Sequence, residues 1–277
     1  MTRKPIYMSI KSFANLIDTT LKSDRQMIVC ITGTTGTGKS TLAIWILKAL
    51  YKINGFDLKL DEALVYSAEE FAERYKTNPK YHGVIVDEAI NLAYSLDFQT
   101  KESSQIVKIM NLYRTVNNIT FWILPNFWNL NKSIRDGLVD VWINIPKRSM
   151  SYVLLPDKNP FVSDRWYKAE NEKLFRGGGR NNNFENNPTR CKNFAGIMMF
   201  KKLPDKVEAI YNEVKFRKRA ELDLLGKESE IKKNEKPKAF ECPECQSGSF
   251  IYLRKDEVML CKKCGHRAPR EEVRVRT

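Results

Sequence analysis

An eight-residue motif, GTTGTGKS at positions 33–40, constrains the fold of this chain more than any other feature. It matches the pattern G-x-x-x-x-G-K-[ST] in full. The apolar run MIVCIT (27–32) precedes it, and STLAIWILKALYKI (40–53) has the apolar spacing of a helix. Glycines let such a loop turn successive N–H groups inward, and the start of a helix adds positive potential. The motif therefore predicts a strand, an anion-binding loop and a helix, in that order.

Each position of the motif has an expected role at a phosphate group. Lys39 should reach the β and γ phosphates of a nucleoside triphosphate, and the hydroxyl of Ser40 should ligate Mg²⁺. Thr41 should lie near the α phosphate. The other expected loop residues are Gly33, Thr34, Thr35, Gly36, Thr37 and Gly38. We expect ATP and Mg²⁺ to bind here; a glycine- and threonine-rich turn without a ligand is the alternative.

Further apolar runs alternate with helical patterns up to about residue 146. The predicted strands are LVYSA (64–68), GVIVDEA (83–89), ITFWILP (119–125) and LVDVWINI (138–145). Continuous apolar strands that alternate with helices are typical of a parallel sheet covered on both faces. Beyond them we expect antiparallel strands in 147–175, a loop rich in Gly and Asn in 176–188, and a basic helix in 203–225. The expected fold class is α/β, with a mostly parallel sheet and flanking helices.

Two carboxylates, Asp87 and Glu88, come directly after the apolar residues GVIV (83–86). Ligands bind at the carboxyl edge of such a sheet, so Asp87 is expected to hold Mg²⁺ directly or through water. Glu88 can orient and deprotonate an attacking water molecule. A small-molecule kinase has no need of that base, so the pair favours hydrolysis. The alternative is that Glu88 begins a helix, where a carboxylate suits the helix dipole.

Three further polar residues are candidates for the catalytic site. Asn126 follows the strand ITFWILP, which should lie beside the Asp87 strand, and it could hold the attacking water or sense the γ phosphate. Arg114 and Arg135 could each reach the γ phosphate of a neighbouring subunit and stabilise the transition state. The alternatives are a turn residue for Asn126 and a helix-end cation or a surface ion pair for each arginine.

Together these motifs resemble the FtsK–HerA class of P-loop ATPases, and LPNFWNLNKSIRDGLVDVWINI (124–145) is similar to its zonula occludens toxin-like branch, of archaeal or viral type. The resemblance covers about residues 27–145. It implies a RecA-like sheet, ATP hydrolysis at a subunit interface, an arginine supplied in trans, and a homo-oligomer that is often a hexamer. Members of the class translocate, package or transfer DNA. The class usually has Gln where this chain has the shorter Asn126.

Two other functions stay open from the residues themselves. One is an ATP-gated assembly scaffold that recruits partners and hydrolyses slowly. The other is a nucleic-acid-binding regulator whose phosphate loop is only structural. A nucleotide kinase is a third class, which the Asp87–Glu88 pair argues against.

Four cysteines, Cys242, Cys245, Cys261 and Cys264, have the spacing C-x₂-C-x₁₅-C-x₂-C. This spacing is a strong signature of a zinc site. The residues between the pairs, SFIYLRKDEVML (249–260), indicate two short strands, and the segment resembles a zinc ribbon. The predicted ribbon (240–277) has about 38 residues, too few to fold on core burial alone, so Zn²⁺ should supply much of its stability. Two redox disulfides are the alternative.

The net charge of +14 is unevenly distributed along the chain. Residues 1–145 hold 17 basic and 14 acidic side chains, so +11 of the excess lies beyond them. Such an excess favours an anionic partner, with DNA the leading candidate; a solubilising surface is the alternative. Four thiolates on Zn²⁺ would cancel the positive charge of the ribbon. The expected DNA-binding surface therefore lies in 146–240.

We expect the chain to consist of four segments. These are an N-terminal helical segment (1–26), a P-loop ATPase domain (27–225) with a β extension at 146–200, a charged linker (226–239) and a zinc ribbon (240–277). No apolar run is long enough for a transmembrane helix, so no membrane insertion is expected. The first residues lack the apolar segment of a signal peptide, and a cytoplasmic location with reduced thiols is expected.

Overall fold

The computed structural model describes residues 6–87, 101–112, 116–177, 183–234, 240–242, 244–245, 247, 250–253, 258–269 and 274–275. The chain divides into two compact units, Met1–Arg219 and Ala220–Thr277. The division falls slightly before residue 225, where the sequence predicts the end of the larger domain.

The larger unit holds one sheet and most of the helices. Its strands are β1 (Tyr7–Met8), β2 (Met27–Gly33), β3 (Leu64–Val65), β4 (Gly83–Val86), β5 (Ile119–Leu124), β6 (Val141–Lys147), β7 (Met150–Leu154) and β8 (Phe194–Met199). The described helices are α1 (Ile10–Lys22), α2 (Lys39–Asn54), α3 (Leu60–Ala63), α4 (Ala68–Thr77), α5 (Lys101–Leu112), α6 (Lys132–Gly137), α7 (Lys168–Phe175) and α8 (Asp205–Asn234). None of them is long and apolar enough to cross a membrane.

The eight strands are ordered β1-β8-β7-β6-β2-β5-β4-β3. Every neighbouring pair is parallel except β6–β7 and β7–β8, so β7 is the single reversed strand of this sheet. β5 pairs with both β2 and β4, as expected for the strand beside Asp87. The prediction of a mostly parallel sheet with flanking helices is confirmed.

The central strands form because their side chains are apolar on both faces. All six residues of β5 and all four of β4 are buried. α1 is amphipathic instead, and it buries Phe13, Ala14, Ile17 and Leu21 at helical spacing. Ser9 begins α1, and its side chain accepts the N–H of Ser12 at 3.0 Å.

The structure differs from the sequence prediction within 147–175. β7 is a strand, but its antiparallel partners are β6 and β8. Residues 168–175 form α7 rather than a second strand. The Asp164 carboxylate accepts the N–H of Lys168, the first residue of α7, at 2.7 Å, which satisfies one donor at the start of the helix. It also accepts the N–H of Trp166, just before the helix, at 3.0 Å. KAENEKLF is also rich in strong helix formers.

α8 extends further than predicted. The predicted linker began at residue 226, but the helix continues through Asn234. Its added residues are mostly Lys, Glu and Ser and contain no proline. Gly226 costs about 1 kcal/mol relative to Ala, which is too little to end the helix.

The smaller unit contains short antiparallel strands. β10 (Phe250–Leu253), β11 (Val258–Cys261) and β12 (Arg267–Pro269) form one sheet, and β9 (Phe240–Glu241) pairs with β13 (Arg274–Val275). The predicted pair of strands between the two cysteine pairs corresponds to β10 and β11, with Phe250 opposite Cys261.

Gly83 provides a test of how α2 packs on the sheet. An added Cβ would lie 2.3 Å from Leu47 Cδ1 and 3.0 Å from Ile119 Cγ2. We expect Gly83→Ala to lower the free energy of unfolding by about 1–3 kcal/mol, the usual cost of overpacking. All five tryptophans lie between residues 45 and 166, so their fluorescence during urea unfolding reports on the larger unit.

Gly137→Ala is the matched control, because no atom lies within 4 Å of its added Cβ. Its effect should stay within about 1 kcal/mol in either direction. Equal stability of the two variants would contradict the close packing at Gly83.

Candidate nucleotide-binding site

A cavity of about 740 Å³ opens at the edge of the sheet where β2, β4 and β5 end. Parallel strands present their carboxyl ends at one edge, and ligands bind there in open α/β sheets. The walls also include the turn between β6 and β7 and residues from the chain after β8. The cavity therefore combines the phosphate-loop region with residues far along the chain.

The predicted phosphate loop connects β2 directly to α2. Gly36 and Gly38 have φ values of +79° and +95°, a left-handed conformation that favours glycine. An added Cβ on Gly33 would lie 2.5 Å from the backbone oxygen of Ile145, so this position has no room for a side chain. The loop residues that line the cavity are Thr35, Gly36, Thr37, Gly38, Lys39, Ser40 and Thr41.

Lys39 lies folded against its own loop. Its Nζ donates to the backbone oxygens of Gly33 and Thr34 at 2.8 and 3.0 Å. The Thr37 hydroxyl also donates to the Thr34 oxygen, at 2.8 Å. Burial lowers the pKa of Lys39, and the nearby Asp87 carboxylate partly offsets this. The ammonium group is thus held at the centre of the loop by backbone acceptors.

Asp87 follows β4 and faces the loop. Its side chain is 3% exposed, and Oδ1 accepts the Ser40 hydroxyl at 3.1 Å. Oδ2 accepts the Tyr66 hydroxyl at 3.1 Å and the Tyr211 hydroxyl at 2.8 Å. A hydroxyl and a carboxylate at this distance are oxygen ligands of the kind that Mg²⁺ prefers. The residues present therefore fit a magnesium ion between Ser40 and Asp87.

α8 contributes two residues that the sequence analysis missed. Tyr211 donates to Asp87, and Lys215 Nζ lies 3.5 Å from Asp87 Oδ2 and 3.3 Å from the Tyr211 hydroxyl. Both line the cavity. The signal available in the sequence was their i, i+4 spacing on the predicted basic helix, which places them on one face. Nothing in the sequence showed that this face would meet Asp87.

The charge states at this position follow from burial and from Asp87. Burial and the carboxylate both raise the pKa of Tyr211, so its hydroxyl remains a donor at neutral pH. Burial by itself would lower the pKa of Lys215, but Asp87 and Tyr211 outweigh it and the net shift is upward. Lys215 therefore carries its positive charge at neutral pH.

The β extension also reaches the loop. Arg148, in the turn between β6 and β7, donates from Nε to the backbone oxygen of Gly36 at 2.9 Å. Phe200, directly after β8, packs on Gly38, where an added Cβ would lie 3.1 Å from its ring. Trp45 of α2 donates to the backbone oxygen of Lys201 at 2.9 Å. The second half of the larger unit therefore encloses the site that the first half begins.

Two predicted catalytic residues occupy other positions. Asn126 is exposed, and its side chain accepts the N–H of Trp128 at 2.9 Å at the start of a short 3₁₀ turn. Arg135 donates to Asp136 at 2.8 Å, and its guanidinium lies 5.0 Å from the centre of the Trp128 ring. Neither lines the cavity. Glu88 and Arg114 lie outside the described residues, and the four catalytic roles stay predictions.

The four predicted zinc ligands come together in the smaller unit. All their Sγ atoms lie within 4.8 Å of one another, and Cys242–Cys264 and Cys245–Cys261 are 3.6 Å apart. Tetrahedral zinc with Zn–S bonds of about 2.3 Å separates its sulfurs by about 3.8 Å. Hydrogen bonds, of which that from the backbone N–H of Cys264 is the strongest, lower the pKa of Cys261 to about 6, whereas burial and the neighbouring sulfurs raise the pKa of Cys264. Cys261 is therefore the thiol of this pair that ionises first. The group could hold a metal ion.

The chain has distant structural likenesses among solved proteins. It is similar to the N-terminal domain of zonular occludens toxin from Neisseria meningitidis, with a TM-score of 0.33 and 19% identity over 49% of this chain and 87% of that one. A KaiC-like protein from Pyrococcus horikoshii has a TM-score of 0.31 and 17% identity over 49% and 81%. No protein-family model matches this chain, and no curated protein does.

A third similar structure is the genome packaging NTPase of Sulfolobus turreted icosahedral virus 2, solved with ATP-gammaS. Its TM-score is 0.33, with 14% identity over 48% of this chain and 92% of that one. In this chain the glycine-rich loop lies between a buried strand and a helix, and Asp87, which follows the second strand from β2 in the sheet, contacts Ser40. The predicted fold class, an α/β fold with a mostly parallel sheet, is confirmed.

Metal content tests the four-cysteine group. We expect the purified protein, kept reduced, to contain about one zinc ion per chain, because four thiolates close a tetrahedral site. Cys264→Ser should lower zinc retention during dialysis against a chelator, measured by mass spectrometry of the metals. Cys191→Ser, which changes a thiol in the larger unit, should retain zinc. Equal zinc loss from both variants would contradict this assignment.

Proposed function

We propose that this chain is a magnesium-dependent ATPase that couples ATP hydrolysis to the handling of DNA, such as translocation, packaging or transfer. The observation that carries the proposal is the position of Ser40 and Asp87 beside the loop. A hydroxyl and a carboxylate that lie 47 residues apart in sequence meet at 3.1 Å next to a lysine that belongs to a phosphate-binding motif. This is the arrangement that Mg²⁺-bound triphosphate chemistry requires.

In the proposed reaction, the nucleotide and the metal ion bind to residues whose positions are given above. The loop N–H groups and the ammonium of Lys39 bind phosphate oxygens, for which the ammonium exchanges its present contacts with the Gly33 and Thr34 oxygens. Ser40 and Asp87 hold Mg²⁺, which neutralises phosphate charge when bound.

The chemical step is assigned to residues predicted from the sequence. Glu88, one residue beyond Asp87, accepts a proton from the attacking water. Asn126 orients that water or contacts the γ phosphate after its cap on the 3₁₀ turn is released. An arginine from a neighbouring subunit stabilises the transition state. Arg114 is the preferred donor, because Arg135 already contacts Asp136 and Trp128.

An arginine supplied in trans requires assembly, so the proposed active form is a homo-oligomer. The resemblance stated above makes a hexameric ring the expected form. The proposed DNA-binding surface is the basic region in 146–240. Its exposed cations in the described part of the larger unit include Lys147, Lys158, Lys168, Lys173, Arg176, Arg190, Lys192 and Lys201. Contacts of this kind bind phosphate and are blind to sequence.

Two substitutions separate binding from hydrolysis. Lys39→Ala should weaken ATP-gammaS binding by about tenfold or more, because a charged phosphate contact is lost. Glu88→Gln should leave that affinity nearly unchanged and lower kcat by about 10²–10⁴-fold, the usual contribution of a general base. Calorimetry measures the binding and phosphate release measures the rate. Unchanged ATP-gammaS affinity in Lys39→Ala would contradict the proposed site.

The DNA-coupled part of the proposal has its own test. We expect double- or single-stranded DNA to raise the steady-state ATPase rate several-fold, and we expect the effect to fall steeply between about 50 and 200 mM salt. Light scattering with Mg²⁺ and ATP-gammaS should show an oligomer. An ATPase rate that no DNA or RNA changes would contradict the motor and favour the ATP-gated scaffold.

A further inference from the structure

α8 is fixed to the nucleotide site by a buried lysine. The side chain of Lys218 is only 10% exposed, and its Nζ donates to the backbone oxygens of Asp61 and Leu64 at 2.7 and 2.6 Å. It also forms an ion pair with Glu70. A buried ammonium needs such a full set of acceptors. These contacts attach α8 to α3, β3 and α4, so this part of the helix is an integral part of the site.

The helical repeat directs two further residues toward the cavity. Tyr211, Lys215 and Lys218 lie at spacings of four and three residues, so they share one face of α8. Val214, on the adjoining part of the helix, is also buried. Anchored by Lys218, this face places the Tyr211 hydroxyl 2.8 Å and Lys215 Nζ 3.5 Å from Asp87 Oδ2.

The contact of Lys215 with Asp87 is longer than that of Tyr211. Charge-assisted hydrogen bonds usually measure about 2.7–2.9 Å, and the Lys215 contact is longer than that. Oδ2 already accepts two hydroxyls, from Tyr66 and Tyr211. The Lys215 side chain is 24% exposed and lines the cavity. Its ammonium is therefore placed to exchange the carboxylate for another anion in the cavity.

The charge balance of the cavity indicates which anion that is. Four cationic side chains line it, and the carboxylates of Asp87 and Glu208 are the two anionic ones among its described residues. Lys202 is already paired with Glu208 at 2.9 Å. A Mg²⁺ ion bound to Asp87 would neutralise part of the charge of that carboxylate and so weaken its attraction for Lys215. The oxygens of a phosphate bound in the same cavity would then compete with Asp87 for its charge.

We propose that Lys215 is a nucleotide-binding residue that contacts the terminal phosphate of a bound triphosphate. The inference rests on the proposed ATP site. The terminal phosphate is the partner because Lys215 Nζ lies 3.5 Å from Asp87, which would hold the Mg²⁺ that neutralises the charge of the terminal phosphates. α8 therefore distinguishes a triphosphate from a diphosphate.

The test compares ATP-gammaS with ADP, each with Mg²⁺, by calorimetry on the full chain. Lys215→Ala should weaken ATP-gammaS binding by about tenfold, the effect of losing a charged hydrogen bond, and change ADP binding less than about twofold. Lys215→Arg, which keeps the charge, should restore most of the difference. Lys206→Ala removes the same charge from an exposed position on α8 and should alter neither affinity.

Other outcomes would overturn the assignment. Equal losses for both nucleotides would make Lys215 a structural residue, and an unchanged ATP-gammaS affinity would remove it from the site. Tighter binding would mean that Lys215 obstructs the metal. Retained ADP binding shows that a variant is folded. If Lys39→Ala also left both affinities unchanged, the proposed function itself would fail, which is a different result from a failure confined to Lys215.

Discussion

One buried carboxylate connects the parts of this site. Folding removes Asp87 almost completely from water, and a buried carboxylate is stable only if donors or a cation replace the lost hydration. Its donors come from three separate elements: Ser40 at the start of α2, Tyr66 after β3, and Tyr211 in α8. The loop helix, the sheet edge and α8 therefore converge on the same two oxygen atoms. The group proposed to bind metal is also the group that organises the surrounding hydroxyls.

The order of the strands explains why this convergence is possible. β5 lies between β2 and β4, so the phosphate loop after β2 and Asp87 after β4 lie at the same edge of the sheet, with the end of one strand between them. β6 ends at the same edge, and Arg148 in the turn that follows it bonds the backbone of Gly36. The reversed strand β7 leads away from this edge and β8 returns to it, so that Phe200 covers Gly38. The basic residues in the second half of the larger unit therefore fall into two groups. Some line the cavity beside the phosphate loop, and others are exposed on the surface.

The local patterns that predicted correctly are those that a short stretch of chain satisfies by itself. Glycines permit the left-handed turns at Gly36 and Gly38, and continuous apolar runs predict β2, β4 and β5. The cysteine spacing predicts the group in the smaller unit, because each pair closes one tight turn. The prediction of antiparallel strands in 147–175 was wrong for residues 168–175, because Asp164 satisfies the first N–H of α7 through a local hydrogen bond that apolar spacing does not report.

The amino-acid sequence by itself determined the chemistry of the phosphate loop, the alternation of strands and helices, and the four thiols of the smaller unit. Tertiary structure alone decided which face of α8 meets Asp87 and that Arg148 reaches the loop. The physical reason is the range of the interactions. Loop conformation and secondary structure depend on neighbours along the chain, whereas the partners of a buried charge come from any element that the packed sheet brings within hydrogen-bonding distance.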